Sequence, residues 1–211
     1  MLAVLLGAVW GAQATPLAAQ QPPQSPPFDL AQVPMPAEPP AARFGQGIYL
    51  QNCAPCHGDQ GMGDGPTAAD LPTPPTAFAD PDAVWALSPA EMFHTTKFGR
   101  LEALMPPWQN ELSDQQIWRV VAYAWSLHTD IGQVSAGEDL YGLSCAGCHG
   151  PGGAGDGPDA EGDLPNLADP ATAMAQSQET WLAAWQSAHP QIGGDWTKDQ
   201  QRQVLEYIRT F

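Results

Sequence analysis

The sequence predicts a mainly α-helical protein, built as two tandem helical domains behind a Pro-rich N-terminal segment. Three observations carry that expectation. From residue 41 onward the chain repeats itself. Within each repeat the apolar residues recur at helical spacing behind recognisable N-caps, and strand-type alternation is absent. The 211 residues also suit two small domains of about 80–90 residues better than one large core. Units of that size bury too little of their surface to fold comfortably without a covalent or metal staple.

Taken in order, residues 1–15 open with an apolar run, Leu2 to Gly11, followed by Ala12-Gln13-Ala14. The small-x-small triplet has the form of a signal-peptidase site. The expectation is a signal peptide or a short N-terminal apolar segment, with cleavage favoured over a permanent anchor because a span needs about 20 apolar residues. It departs from the usual pattern in having no basic residue before Arg43. Residues 16–40 contain Pro22-Pro23, Pro26-Pro27 and Pro39-Pro40 with almost no charge, and read as an extended linker without a core of its own.

The repeat then divides the rest into residues 41–130 and 131–211. Gly45, Tyr49 and Cys53 match Gly137, Tyr141 and Cys145, and Gly61, Gly63-Asp64-Gly65-Pro66 match Gly153, Gly155-Asp156-Gly157-Pro158, all at an offset of 92. Ala79-Asp80-Pro81 and Ala168-Asp169-Pro170 follow at an offset of 89. Each copy is expected to hold a first helix running into its cysteine pair and then a Gly/Pro-rich loop. A middle helix follows, after Ser88 or near Glu179, and a last helix begins at Ser113 or Thr197. Ser113 with Gln116, and Thr197 with Gln200, have the form of capping boxes. Beyond them Ile117, Val120, Val121, Ala124 and Trp125 keep helical spacing, as do Val204, Leu205 and Ile208.

The chemistry lies in the four cysteines. Cys53-Ala-Pro-Cys56-His57 and Cys145-Ala-Gly-Cys148-His149 are both C-x-x-C-H, the attachment pattern of haem c. Two thiols at this spacing reach the two vinyl groups of one porphyrin, and the adjacent histidine falls beneath the iron. A shared zinc site is disfavoured, because His rarely follows the second Cys directly in zinc sites and the two pairs would have to converge. A redox dithiol lacks its strand–helix context.

On these residues, positions 41–211, about four fifths of the chain, resemble two tandem class I cytochrome c domains. The resemblance implies two haem c groups, each wrapped by one helical domain, with His57 and His149 as proximal iron ligands. It also implies a methionine ligand just before the last helix, which is Met105 in Met105-Pro106-Pro107-Trp108. Met62 and Met92 are the alternatives, read as loop or core filling. In the second copy the matching position before Thr197 is His189, followed by Pro190, so the second haem is expected to be bis-histidine. Met174, or an open or differently ligated iron, remains the alternative there. The resemblance further implies that the carbonyls of Pro66 and Pro158 accept the other ring N–H of His57 and His149. His94 and His128 read as ordinary helix residues, His94 within reach of a haem edge.

Seven Lys or Arg against 23 Asp or Glu give a formal charge of −16, which excludes nucleic acid as a partner class. The acidic surface either steers toward a basic docking surface or is ordinary solubility charge. Thioether ligation raises a haem's potential and imidazole leaves it lower, so electrons are expected to pass from haem 2 to haem 1. With both irons six-coordinate, no catalytic residue and no open position are expected. The expectation is an electron carrier between extracytoplasmic redox partners, periplasmic or on the outer face of the cytoplasmic membrane. The alternatives are a haem subunit of a membrane respiratory or photosynthetic complex, or a dihaem enzyme with a labile sixth ligand.

Overall fold

The computed structural model describes residues 25–211, so the apolar segment 1–15 and the start of the Pro-rich stretch lie outside the described residues. The first domain contains α1 (Gln46–Asn52), α2 (Ala54–His57), α3 (Pro81–Val84), α4 (Pro89–Phe98) and α5 (Asp114–Ser126). The second contains α6 (Ile131–Ser144), α7 (Ala146–His149), α8 (Pro170–Ala175), α9 (Gln178–Ala188) and α10 (Lys198–Ile208). Among the described residues the only β-type pairing is an isolated bridge between Arg100 and Met105.

Local sequence explains the boundaries. Ser113 and Thr197 each form the full capping box with the glutamine three positions on. Ser88 does the same with Glu91 at the start of α4, and Ser177 caps α9. Each box satisfies N–H groups that a first helical turn leaves orphaned. One copy departs from the other at its first helix. α1 has 7 residues behind a short 3₁₀ turn, whereas α6 has 14, because Asp130 caps a continuous run there.

In both domains the first and last helices cross at a glycine. A Cβ on Gly45 would stand 1.9 Å from the carbonyl oxygen of Arg119, and one on Gly137 would stand 1.9 Å from that of Gln203. Only hydrogen fits at either crossing. Around the first crossing Tyr49, Phe93, Ile117, Val120 and Val121 form the core, each almost fully buried. Burial of that kind stabilises by about 1.5–3 kcal/mol per large side chain. Tyr141, Leu167 and Val204 take the same role in the second domain.

The Pro-rich stretch differs from expectation over residues 25–40, which pack on the first domain rather than run free. Val33 and Met35 join its core, Phe28 lies edge-on to His94 at 5.6 Å, and the Pro34 carbonyl accepts the Trp118 indole N–H at 2.7 Å. Apolar side chains set among the prolines give this segment something to bury.

The domains also dock on each other. Met174 of α8 packs against the first domain's core, and the Glu179 amide donates to the Trp85 carbonyl at 3.2 Å. Arg202 pairs with Asp82. At the centre, His128 Nε2 lies 3.3 Å from Glu206 Oε1, an ion-pair distance without hydrogen-bond alignment, and Thr129 donates to Oε2 at 3.1 Å. Gln178 donates to the same carboxylate from within the second domain.

Candidate haem-binding sites

α1 stops at Cys53, and the single turn α2 gathers Cys53, Cys56 and His57, whose amides donate back along the turn to the carbonyls of Tyr49 and Cys53. The Tyr49 hydroxyl donates to the Gly58 carbonyl at 3.0 Å and fixes the exit of the turn. In the second copy Tyr141 does the same to Gly150 at 2.9 Å. Gly58 and Gly150 lie at φ +80° and +75°, a left-handed step that lets the chain turn away beneath the histidine.

On the opposite wall Met105 is held by its backbone. Arg100 and Met105 exchange amide–carbonyl bonds of 2.9 and 3.0 Å, and the amides of Trp108 and Gln109 donate to the otherwise free carbonyls of Thr96 and Lys97 at the end of α4. Gly99 makes this loop possible: a Cβ there would lie 2.6 Å from the Met105 carbonyl oxygen. Cys53, His57 and Met105 all line one cavity, with Tyr49, Met92 and Val121, which encloses about 660 Å³ counting its open mouth. Of the alternatives, Met92 is a buried core residue on that wall, while Met62 is 59% exposed and does not line the cavity.

The prolines expected to orient the histidines do not do so. His57 Nδ1 lies 3.0 Å from the Thr76 carbonyl oxygen, and its ring stacks on Phe78 at 4.6 Å. Pro66 sits elsewhere because the loop wraps the start of α2: the Gly65 amide donates to Cys56 and the Thr67 amide to Pro55. Pro158 flanks Cys148 in the same way, between Gly157, bonded to Cys148, and Asp159, bonded to Gly147. At the offset of 89 the counterpart of Thr76 is Pro165. No local signal in the sequence marks Thr76 as this acceptor.

In the second domain the rings of His149 and His189 stand 6.0 Å apart, centroid to centroid, and at right angles. Two metal–imidazole bonds of about 2.0–2.1 Å plus the ring radii span roughly that distance. His189 ends α9, its amide donating to the Trp185 carbonyl at 2.8 Å. Met174 faces the first domain instead. A second, smaller cavity is lined by Ala173, Trp181, Leu205, Ile208 and Arg209. Trp181, Leu205 and Ile208 are the repeat counterparts of Met92, Val121 and Ala124, which line the first cavity.

Burial lowers the pKa of His57, against a smaller upward pull from the Thr76 contact, and lowers that of His149, helped by His189. Both rings are thereby kept as neutral imidazoles, the form that binds metal. Burial pushes the Cys53 thiol up to about 12 and the Cys145 thiol to about 11, opposite to the lowered pKa of a redox-active dithiol. Among the described residues no three His, Cys, Asp or Glu converge on a metal-binding cluster, so the cysteine pairs stay separate. The buried N–H-bearing atoms His149 Nδ1 and Trp181 Nε1 lack protein partners. The fit to a haem is carried by the first domain, where Cys53, His57 and Met105 line one cavity; in the second, Trp181 Nε1 on the wall of the smaller cavity is a buried donor without a protein partner.

Two helical domains, each carrying a C-x-x-C-H turn, define a tandem dihaem class I cytochrome c with two haem c groups. The family model described as cytochrome c oxidase, cbb3-type, subunit III matches residues 40–123 and 132–208, and the chain belongs to that family. Relatives include the cbb3-type cytochrome c oxidase subunit FixP of Sinorhizobium medicae, 29% identical over 68% of this chain and 50% of its own length. Another is subunit FixPc of Rhizobium leguminosarum bv. viciae, 31% identical over 71% of this chain and 51% of its own. The chain thus spans about half the length of these curated relatives. Among solved structures, the Kuenenia stuttgartiensis reducing HAO-like protein complex Kustc0457/Kustc0458 is 22% identical, covering 83% of this chain and 98% of that one, at a TM-score of 0.37. Cytochrome c6 of the diatom Phaeodactylum tricornutum, also 22% identical, covers 42% of this chain and 94% of that one, at a TM-score of 0.33.

Proposed function

We propose that this chain is the dihaem electron-transfer part of a membrane-bound, cbb3-type cytochrome c oxidase, exposed on the extracytoplasmic side. Two things support that reading: the relatives named as cbb3-type oxidase subunits, and the confinement of Cys53, His57 and Met105 to one cavity. The second is the observation that carries it, because a thiol, an imidazole and a thioether facing one apolar space suit a covalently held, six-coordinate haem. Among the described residues no helix is long and apolar enough to cross a membrane.

When bound, the haem irons supply the one-electron Fe(III)/Fe(II) couples. Cys53 and Cys56 would hold the first group covalently, and Cys145 and Cys148 the second. His57 and Met105 would bind the first iron, and His149 and His189 the second. Met105 favours the ferrous state more than His189 does, which sets the internal direction from the second domain to the first. Val120, Val121 and Phe78 exclude water around the first site. With both irons held by two protein side chains each, the chain would pass electrons to its partners and leave oxygen chemistry to them.

The test is a potentiometric titration of the haem-loaded protein with electron paramagnetic resonance spectra, on wild type and His189→Met, together with co-purification from membranes. Two waves, the lower one bis-imidazole in character and raised by the substitution, with integral oxidase subunits retained, are expected. A single wave, or rapid cyanide binding by wild type, would overturn the ligand assignment in favour of a labile sixth position.

A further inference from the structure

Arg100 is the one Lys or Arg on the wall of the first cavity, which it lines together with Cys53, His57 and Met105. Its backbone is pinned to Met105 by the paired amide–carbonyl bonds of 2.9 and 3.0 Å, so the side chain starts from a fixed point beside that candidate ligand. Its ion-pair partner, Glu102, lies 3.7 Å from Nε, beyond hydrogen-bond reach, and both side chains are more than half exposed. The other cations of the first domain are engaged elsewhere: Lys97 donates to Asp114 at 2.6 Å, and Arg43 and Arg119 lie over the Phe44 ring. Glu91, the one acid on the cavity wall, has its Oε2 bound by the Ser88 amide and hydroxyl at 2.8 and 2.9 Å. A porphyrin in this space brings two carboxylates, which need water or a cation at the cavity mouth. The second copy offers no equivalent residue. With His189 matched to Met105, the turn from Arg100 to Leu104 has no counterpart there, because α9 runs directly into His189.

We propose that Arg100 is the carboxylate clamp of the first haem site, binding a porphyrin carboxylate and raising the reduction potential of that site alone. A planar guanidinium matches a carboxylate with two parallel N–H···O bonds. Neutralising the carboxylate removes a negative charge that favours Fe(III), and so deepens the downhill step from the second site to the first. Solvent around the half-exposed guanidinium screens the effect and keeps it modest. The inference rests on the reading of the first cavity as a haem site with His57 and Met105.

The experiment is a potentiometric titration of the haem-loaded full chain as wild type, Arg100→Gln, Arg100→Lys and Arg43→Gln, with infrared redox difference and electron paramagnetic resonance spectra of each. Arg100→Gln should lower the higher couple by about threefold in its reduction equilibrium, roughly 28 mV for one electron, shift a carboxylate stretch and leave the lower couple unmoved. Arg100→Lys keeps the charge and should keep most of the potential, while the stretch still shifts because the forked contact is lost. Arg43→Gln removes the same net charge away from the cavity and should change neither. If Arg100→Gln does not take up haem, the retained potential and shifted stretch of Arg100→Lys carry the test. The proposal is overturned by an unmoved higher couple in Arg100→Gln, by a carboxylate stretch unmoved in both Arg100 variants, or by an equal fall in Arg43→Gln. An equal fall in Arg100→Gln and Arg100→Lys, as a role in the loop alone would give, overturns it too. Failure of the underlying reading shows separately, as a wild-type spectrum without a His/Met-ligated haem.

Discussion

Trp125 and Arg209 occupy the same position in the two repeats, 84 residues apart, and they meet across the domain interface with the guanidinium 4.6 Å from the indole centre. Equivalent surfaces of the two copies therefore face each other. Identical side chains would have given two tryptophans or two arginines at this point. Divergence has placed an aromatic face opposite a cation, an attraction worth about 0.5–2 kcal/mol depending on solvation.

The first crossing predicts opposite outcomes for two glycines at the start of α1, Gly45 at its N-cap and Gly47 within it. Gly45→Ala drives a methyl group into the Arg119 carbonyl and should destabilise the first domain by about 1–3 kcal/mol or more. Gly47→Ala meets nothing within 4 Å, and should stabilise α1 by about 0.5–1 kcal/mol through helix propensity. Denaturant titration of both variants, with Gly137→Ala reporting on the second domain, measures the difference.

Replacing the thioether at the first site should lower its potential without touching the second. Met105→His is expected to bring the higher wave of a potentiometric titration down toward the lower one. The loop itself should survive, because it is fixed by backbone bonds to Arg100, Thr96 and Lys97. A higher wave that does not move would show that Met105 is not the ligand.

Leu104, beside Met105, is the one non-glycine residue with positive φ among those described, at 59°, and its side chain is 60% exposed. A left-handed leucine costs about 1–2 kcal/mol, and glycine returns about 0.5–1 kcal/mol of that as unfolded-state entropy. Leu104→Gly should raise the thermal midpoint slightly and leave both potentials where they are.

Acid should open the domain interface. Burial alone would raise the pKa of Glu206, but His128, Gln178 and Thr129 outweigh it and hold the carboxyl below its ordinary value of 4.5. A carboxyl depressed on folding contributes stability that is fully present above the ordinary value and lost as the pH falls through the folded one. Wild type should therefore lose interface stability below about pH 4.5. Glu206→Ala should already be destabilised at neutral pH, with a flatter acid limb. Thermal melts across pH for both proteins check this.

The helices were legible because their signals are local. Ser88, Ser113 and Thr197 announce α4, α5 and α10 by cap and spacing, and the cysteine turns are contiguous motifs. The acceptor for His57 was not, because Thr76 reaches it through a loop whose course depends on how Gly65 packs under α2. The docking of the domains was equally hidden. His128 and Glu206 carry no mark of their pairing in sequence, and each looks like an ordinary helix residue until the two copies are brought together. The packing of residues 25–40 depended on a few apolar side chains at irregular intervals, which no periodicity reports.

The buried clamp of Glu206, His128, Thr129 and Gln178 sets a rule for kinetics as well as for shape. With the two domains held by that clamp, the proposed exchange between their haem sites is expected to be first-order, indifferent to solution viscosity and to ionic strength. Delivery from an outside donor to a chain of formal charge −16 is expected to obey the opposite rule and respond to both. Slowing the solvent or adding salt therefore separates the internal hop from the external one, on the same molecule and with no residue changed.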